Sequence, residues 1–587
     1  MPLRLIKFSI LVAMLLAPLS AIAQASPPGI DYTIDLIQHQ QQQLIDEELR
    51  RQQVRAAMER PAPTPLVEIE APEPVPPEEV GPCVDIERIK FSGNTKVSNR
   101  RIRRMARRYE GRCITVDEIN LFLNEVTNLY IRRGYITSRA FMVMPQFYLN
   151  EGILDVRIIE GRVHNITGLP LGEQLTAFPR MERTNLNLRD FEQGLDQINR
   201  LRSNRATMTI DAEPSSEVAS NVNINIERGN RSNWSVFTDN LGSASTGEWR
   251  AGARFSFDNP LGLNDQINLM LTNSIPSEFG RRRSTSAMFG YSIPWGYWTF
   301  SNNLSYSYFK TSFLLPISGE PFFTLGNTIT NTFTANRVLA RGQRFKLAMN
   351  MGLTYRDAEN FTRVLDLEMR NDASSRKLAI ANFDLPITLF FGRGMIFAQP
   401  SYIQGTRLFG AFDDRGSPFP QSAQYDAFRL FAQSNWRFGP YTWTTTLNGQ
   451  FTRNEMFSSE AFFIGGEPSV RGFKNQGVQG DSGFSIRNDL AFNLPMLTGI
   501  QNRWLGAFTP SVFVDYGRVF SNVSYGDRPG VTKRESQPKS LAGAGARLAF
   551  RYGMFEATAT HARALHQEEW ITERHATYLF AGIRGSF

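Results

Sequence analysis

Few residues of this chain stand in patterns that support catalysis. The segment Gly480-Asp481-Ser482-Gly483 has the composition of a nucleophilic-serine loop, but Phe484 follows it in place of a further glycine. None of the five histidines stands in a motif with a catalytic partner: His39, His164, His561, His566 and His575. The sequence has no Gly-Lys-Ser/Thr loop to hold phosphates, and two cysteines cannot form a four-ligand zinc site. We therefore expect no enzyme activity, no cofactor and no metal.

The composition narrows the class of protein. The chain has 587 residues, a net charge of +8, 45 glycines and 31 prolines. Beyond the first two dozen residues no apolar run approaches the roughly 18–20 residues that span a bilayer as a helix, which excludes a helical membrane protein. The basic stretch Arg100–Arg112 suggests nucleic acid, but a solvated helix or a contact with acidic lipid or substrate is favoured. We expect no nucleic-acid partner.

Three segments are predicted before residue 83. Residues 1–23 have a basic start, an apolar stretch and small residues at Ala21-Ile22-Ala23, which is typical of a secretory signal peptide. Residues 24–59 contain a Gln-rich helix over 31–59 with few apolar positions. It suits a wet, polar environment, and composition alone leaves a solvated or coiled-coil helix open. Residues 60–82 hold eight prolines and form an extended linker.

A β-α-α-β-β order occurs twice in the following residues. In 83–162 we expect a strand over 86–91, helices over 98–108 and 115–133, and strands over 137–144 and 153–160. Thr115-x-x-Glu118 is a capping box that opens the second helix. In 163–229 the elements are expected at 163–169, 171–177, 188–202, 206–212 and 220–227. Each copy is large enough for a small α+β domain.

From about residue 230 onward, side chains alternate with the period of a strand. Apolar Trp298, Phe300 and Leu304 share one face, opposite Thr299 and Ser301. About sixteen such segments begin near 232, 248, 264, 284, 297, 328, 343, 377, 395, 423, 441, 483, 508, 541, 555 and 576. A soluble β-sandwich also alternates, but 350 residues with an apolar outside would aggregate. A closed transmembrane β-barrel over 230–587 fits better, because it pairs every backbone group.

This arrangement resembles the two-partner secretion transporters, a family within the superfamily of outer-membrane assembly and translocation barrels. The resemblance covers essentially the whole mature chain. It rests on the order of segments and on two motifs, Phe463-Ile-Gly-Gly-Glu-Pro-Ser-Val-Arg-Gly-Phe473 and Phe513-Val-Asp-Tyr-Gly-Arg-Val519. It implies a fold of two POTRA-like domains and an N-terminal plug-like helix before a barrel of about sixteen antiparallel strands. It places the barrel in the bacterial outer membrane and the POTRA-like domains in the periplasm.

The resemblance also implies site residues. The family's first motif lies on a loop that folds into the barrel, here 455–482, with Val470, Arg471, Gly472 and Phe473. The second lies on the barrel wall and carries Phe513, Asp515 and Gly517, so Arg471 and Asp515 should pair. Alternation agrees, because Asp515 faces the lumen if Val514 and Tyr516 face lipid. An ordinary turn and an unrelated lumen carboxylate remain the alternative. We expect lumen water to reduce the pair to about 1 kcal/mol or a little more.

The function that the resemblance implies is export of a large exoprotein with an N-terminal secretion domain: a haemolysin, adhesin or contact-dependent inhibition toxin. The remaining expected partners are outer-membrane lipids and, during biogenesis, the barrel-assembly machinery; the chain itself is expected to be a monomer. A barrel-assembly insertase and a passive porin are the alternatives. Cys83 and Cys113 lie in the first repeat, as in many relatives, and should form a disulfide. The edge strand expected to bind substrate comprises Ala206, Thr207, Met208, Thr209, Ile210, Asp211 and Ala212.

Overall fold

A computed structural model describes most of the chain from Cys83 onward and part of the segment before it. The described residues are 37, 42, 45, 47–51, 53–54 and 83–586, with gaps at 217, 276–279, 315–320, 343, 365–366, 373, 416–420, 494–506 and 523–537. The predicted signal peptide and the 60–82 linker lie outside these residues. Within the described part, no helix is long and apolar enough to cross a membrane.

The first α+β domain contains β1 (Cys83–Ile86), β2 (Arg88–Ser92), α1 (Asn99–Ala106), β3 (Arg112–Thr115), α2 (Val116–Arg132), β4 (Arg139–Met142) and β5 (Ile153–Ile159). Strands β2, β5 and β4 form a sheet in that order, and β1 pairs separately with β3. The capping box forms as predicted, since the Thr115 hydroxyl accepts a hydrogen bond from the Glu118 amide and the Glu118 carboxylate accepts one from the Thr115 amide. The apolar faces of both helices pack on the sheet.

The second domain repeats the order with β6 (Arg162–Thr167), α3 (Leu171–Ala177), α4 (Leu188–Asn199), β7 (Asn204–Ala212) and β8 (Ala219–Arg228). Its sheet has the order β6-β8-β7, so β7 is an edge strand as predicted. The separate pairing of β1 with β3 in the first domain was not predicted, because each of these strands has only four residues and too little alternation to read.

Sixteen antiparallel strands close the barrel in the described part of the chain. Strand β16 is only a short extension paired with β15, and β17 with β18 forms one wall strand interrupted at residues 385–386. Two short strands, β22 and β23, belong to a loop inside. The bounds are β9 (Ser232–Asp239), β10 (Arg250–Asp258), β11 (Gln266–Ser274), β12 (Arg283–Trp295), β13 (Trp298–Leu314), β14 (Pro321–Arg341), β15 (Phe345–Val364), β16 (Leu367–Arg370), β17 (Arg376–Asp384), β18 (Ile387–Phe391), β19 (Gly394–Thr406), β20 (Asp426–Phe438), β21 (Tyr441–Thr452), β22 (Phe462–Ile464), β23 (Val478–Gly480), β24 (Ser482–Phe492), β25 (Ala507–Phe520), β26 (Lys539–Tyr552), β27 (Phe555–His566) and β28 (His575–Ser586).

All but one of the predicted strand starts lie within three residues of the observed ones. The exception is β14, which begins at Pro321 rather than near residue 328. Aromatic residues occupy adjacent positions at Phe322 and Phe323, and Gly326 follows, so alternation is not readable there. The fold class, a transmembrane β-barrel of sixteen antiparallel strands after two α+β domains, is confirmed.

The last strand carries a glycine, Gly585, where the barrel closes. Gly585 pairs with Trp234 of β9, where β28 and β9 close the barrel. A Cβ atom on Gly585 would lie 2.7 Å from the Trp234 indole ring, which therefore occupies that space. Trp234 of β9 therefore supplies a bulky apolar side chain at this position.

Candidate functional site

The described residues of the N-terminal helix lie inside the barrel. Arg50 donates a hydrogen bond to Asn448 on the lumen face of β21 at 2.6 Å, and its guanidinium lies 4.7 Å from the centre of the Phe431 ring. Arg254 on β10 lies 3.5 Å from Glu48. A cavity of ≈ 710 Å³ remains beside the helix. The cavity is lined by helix residues such as Arg50 and Arg51 and by wall residues such as Arg254 and Thr446.

Three apolar side chains of this helix are buried against the wall. Ile37 contacts Phe309, Val54 joins a cluster with Phe431 and neighbouring residues, and Ile45 is also buried. In the described part of the helix, Ile37 and Val54 pack against aromatic side chains of the barrel wall. The helix therefore makes apolar as well as polar contacts inside the barrel.

The loop between β21 and β24 folds into the barrel and builds an apolar core of its own there. Strands β22 and β23 pair as a small hairpin. The loop residues Ile464, Val470, Phe473 and Val478 pack against wall residues Val519, Leu541 and Ile571. Gly517 on β25 permits this approach, because a Cβ there would lie 3.1 Å from both Ile464 and Val470. Gly472 has φ +130°, a backbone conformation that other residues rarely adopt.

Arg471 lies at the centre of this loop and contacts Asp515 on the wall. Its Nε and Nη2 donate to the two Asp515 carboxylate oxygens, each at 2.7 Å, and its backbone amide donates to Oδ2 at 3.0 Å. The guanidinium lies 3.6 Å from the centre of the Phe513 ring. Nη1 and Nη2 also donate to Asp489 of β24 at 2.6 and 3.1 Å. One guanidinium therefore bridges two carboxylates on neighbouring strands.

The ion pair between Arg471 and Asp515 is buried, which raises the free-energy cost of removing either partner. The side chains of Arg471 and Asp515 are both 0% exposed. We expected lumen water to screen them, and the structure contradicts this, because the loop core covers the contact on one side and Phe513 covers it on the other. Removing one partner of a buried pair costs about 3–5 kcal/mol, since the other charge stays in place without compensation.

Glu467 is a second charged centre, four residues before Arg471. Its carboxylate accepts a hydrogen bond from Arg547 of β26 at 2.7 Å and lies 3.7 Å from an Arg487 nitrogen. It also lies 3.6 Å from Arg51 of the N-terminal helix. The loop, the wall and the helix thus meet at one carboxylate.

Asp489 and Glu467 were not predicted from the sequence as site residues. Period-2 alternation on β24 places Asp489 on the lumen face, so its orientation was readable. Its contact with Arg471 depends on how far the loop enters the barrel, which no local pattern encodes. Glu467 lies inside the quoted loop motif, but its three arginine neighbours come from distant parts of the chain.

The predicted edge strand β7 exposes only alternate backbone groups. The Ala206 amide donates to the Asn199 side chain at 2.6 Å, and the Ala206 carbonyl accepts from it at 3.1 Å, so both point away from β8. By alternation the backbone groups of Met208, Ile210 and Ala212 also point outward. Those of Thr207, Thr209 and Asp211 face β8. Three residues are therefore available to an added strand.

The two cysteines form the predicted disulfide. The Cys83 and Cys113 sulfur atoms lie 2.02 Å apart, and the bond joins the paired strands β1 and β3. The disulfide anchors the start of the first domain, which carries no other covalent constraint in the residues described.

Glu160 holds the junction between the two α+β domains. It accepts hydrogen bonds from the Thr95 and Lys96 amides at 2.7 and 2.8 Å, from Tyr130 at 3.0 Å, and from Asn185 of the second domain at 3.3 Å. Burial by itself would raise the pKa of Glu160, but the hydrogen bonds outweigh it, so the pKa lies below its ordinary value. The carboxylate is charged at neutral pH.

Family models match both the N-terminal domains and most of the barrel. Residues 219–549 match the family described as haemolysin secretion/activation protein ShlB/FhaC/HecB. Residues 84–161 match the ShlB-type POTRA domain, and residues 170–212 match a POTRA domain. The matches place POTRA domains where the sequence predicted two repeated α+β units.

Individual relatives match between about three quarters and nearly all of the chain. The outer membrane transporter CdiB of Escherichia coli is 31% identical, with 97% of this chain and 92% of the relative covered. The hemolysin transporter protein ShlB of Serratia marcescens is 29% identical over 74% of this chain and 76% of its own length. The solved structure of Escherichia coli CdiB superposes with a TM-score of 0.80 at 28% identity, covering 96% of this chain and 99% of that one.

Proposed function

The chain belongs to the haemolysin secretion/activation family of outer-membrane two-partner secretion transporters, and from that premise we propose how it exports its exoprotein. The POTRA domains capture one large, unfolded exoprotein in the periplasm through its N-terminal secretion domain. The exoprotein then passes through the barrel lumen after the N-terminal helix and the in-folded loop have moved. The cargo is of the haemolysin, adhesin or contact-dependent inhibition toxin type.

The observation that carries this proposal is the way the lumen is closed. The barrel wall is polar inside, and the helix that fills it is attached through charged contacts at Arg50, Glu48 and Arg51. These contacts and the separate buried side chains of Ile37, Ile45 and Val54 do not form one continuous apolar core, so the helix can leave without breaking the barrel wall. A removable closure favours a gated export channel over a passive porin.

Capture by strand addition is supported by the exposed edge of β7. An extended segment can hydrogen-bond to the outward groups of Met208, Ile210 and Ala212. No nucleotide is expected in this compartment, so directionality comes from folding of the exoprotein outside, because a folded chain cannot return. We further propose that the transporter works as a monomer and that the barrel-assembly machinery inserts it.

The test is export in a host that lacks other transporters of this kind. The chain and the exoprotein encoded beside it should together place that exoprotein on the cell surface, and the exoprotein alone should stay in the periplasm. Surface export without the transporter, or no export with a correctly inserted transporter, would contradict the proposal.

Capture by strand addition can be tested separately, because some β7 amides point outward and others point toward β8. Ile210→Pro removes an outward amide and should weaken exoprotein binding and export, while Ile210→Ala loses the same side chain but keeps the amide and should bind. Thr209→Pro would instead remove an amide that faces β8 and weaken the sheet of the domain itself. Equal binding by Ile210→Pro and Ile210→Ala would move recognition to side-chain grooves.

A further inference from the structure

Three large apolar side chains are exposed where the second POTRA domain meets the barrel. Leu171 and Leu175 lie one turn apart on α3 and are 70% and 47% exposed. Leu261, in the turn between β10 and β11, is 66% exposed. Exposed leucines that cluster at one junction need a partner, whereas single ones do not.

Helix α3 is fixed to that turn by polar contacts. Asn259 donates to the Glu173 carboxylate at 2.8 Å, and Asn264 donates to the Glu173 carbonyl and the Thr176 hydroxyl at 2.9 and 3.0 Å. A Cβ on Gly172 would lie 2.5 Å from the Gly262 carbonyl oxygen, so helix and turn are in direct contact. These contacts therefore fix the positions of Leu171, Leu175 and Leu261 relative to the barrel wall.

The neighbouring helix α4 occupies the lumen side of the same junction. Gln197 donates to the Thr299 hydroxyl at 3.2 Å, and just beyond α4 Arg200 donates to the Ser292 hydroxyl at 2.7 Å. Thr299 and Ser292 are both lumen-facing positions of the wall. Helix α3 packs against α4 where the Phe178 and Phe191 rings lie 5.4 Å apart. The exposed face of α3 therefore looks away from the lumen.

The lipid-facing surface of the barrel reaches the same turn. Phe255 and Phe257 alternate with lumen-facing Arg254 and Asp258 at the periplasmic end of β10, and Ile267 pairs opposite Phe257 on β11. Leu261 lies in the turn that follows this apolar face, and Leu171 and Leu175 lie on the helix that contacts the same turn. Arg180, exposed three residues after α3, carries the charge that phospholipid phosphates require.

We propose that α3 and the β10–β11 turn lie in the periplasmic leaflet of the outer membrane, with phospholipid chains covering Leu171, Leu175 and Leu261. The partner is the lipid surface itself, and the contact goes beyond export because it orients the second POTRA domain against the membrane. Apolar side chains beside a basic residue are the usual composition of such interfacial elements.

The test uses spin labels on single introduced cysteines, since both native cysteines are in the disulfide. Leu171→Cys and Leu175→Cys are labelled in the full chain, reconstituted in phospholipid vesicles and checked for heat-modifiable folding. Thr207→Cys, exposed on β7 of the same domain, is the matched control. Collision rates with oxygen, which concentrates in lipid, and with a water-soluble nickel complex are compared.

We expect the ratio of oxygen to nickel collisions to be several-fold higher at residues 171 and 175 than at residue 207. Equal ratios at all three sites would overturn the proposal and leave the leucines in water. Low collision rates with both reagents at residues 171 and 175 would also overturn it, and would indicate coverage by protein, such as a second copy of the chain or the exoprotein.

Discussion

Replacing Arg471 with alanine is the change that bears most directly on the in-folded loop. The substitution removes four side-chain hydrogen bonds to Asp515 and Asp489. It leaves the Asp515 carboxylate buried beside one remaining donor, the amide of residue 471. We expect loop docking to lose about 3–5 kcal/mol, roughly a factor of 10² to 5 × 10³ in the docking equilibrium.

Other contacts still hold the loop in the barrel after Arg471 is replaced, and they determine how far its position changes. Four apolar loop residues are buried against the wall: Ile464, Val470, Phe473 and Val478. At about 1.5–3 kcal/mol each they contribute about 6–12 kcal/mol, more than the lost ion pair. The loop of Arg471→Ala should therefore stay in the barrel on average but leave its position far more often. The sixteen paired strands hold the barrel without it.

The assays separate folding from transport. Arg471→Ala should give a membrane-inserted, heat-modifiable barrel with increased protease cleavage between residues 453 and 481 and poor export of the exoprotein. Arg471→Lys keeps the charge but loses the planar two-pronged contact and should be intermediate. Arg518→Ala, which removes an arginine from the lipid side of β25, is the control and should export normally.

Charge reversal identifies the partner. Arg471→Asp and Asp515→Arg should each be worse than alanine, because each brings like charges together. The double swap should recover part of the export, limited because the amide of residue 471 would then face an arginine. Export by Arg471→Ala at the unmodified level, or no recovery in a double swap that inserts normally, would refute the reasoning.

Three further predictions concern the remaining elements. Maleimide labelling of the unreduced, denatured protein should find no thiol, and replacing Cys83 and Cys113 by serine should cost the first domain about 3–4 kcal/mol by the loop-entropy relation for a separation of 30 residues. The Glu160 pKa is lowered on folding, so its contribution is present above the unfolded value of about 4.3 and is lost as pH falls through the folded pKa. The urea midpoint of the POTRA domains should therefore fall more between pH 7 and pH 3 in the unmodified chain than in Glu160→Gln. Deleting residues 31–59 should raise ion conductance in planar bilayers with the barrel intact, and unchanged conductance would count against a plug.

The barrel could be predicted from the sequence because the alternation of side chains is visible within each strand by itself. Each wall strand alternates over eight residues or more, and only the aromatic pair at Phe322 and Phe323 hid a strand start. The pairing of Arg471 with Asp515 came from resemblance to a family and not from the residues alone. The burial of that pair, its third member Asp489 and the arginines around Glu467 depend on how deeply a loop enters a closed wall.

At the edge strand β7, too, contacts with other elements could not be predicted from the strand's own sequence. Its position at the edge followed from the order of elements. Which backbone groups point outward depends on the pairing with β8 and on the contact between Asn199 and Ala206, and neither is encoded in the strand itself. A one-residue difference decides whether a proline blocks an incoming strand or breaks the domain.

The path of the exoprotein through the barrel is the central claim, and site-specific photo-crosslinking tests it most directly. A photoreactive residue at Thr446 faces the lumen, and one at Trp443 on the same strand faces lipid and is 47% exposed. With an exoprotein stalled during export by a tightly folded C-terminal fusion, the account predicts crosslinks to the exoprotein at Thr446 and none at Trp443. Crosslinks at Trp443 without any at Thr446 would place the path outside the lumen and contradict the account.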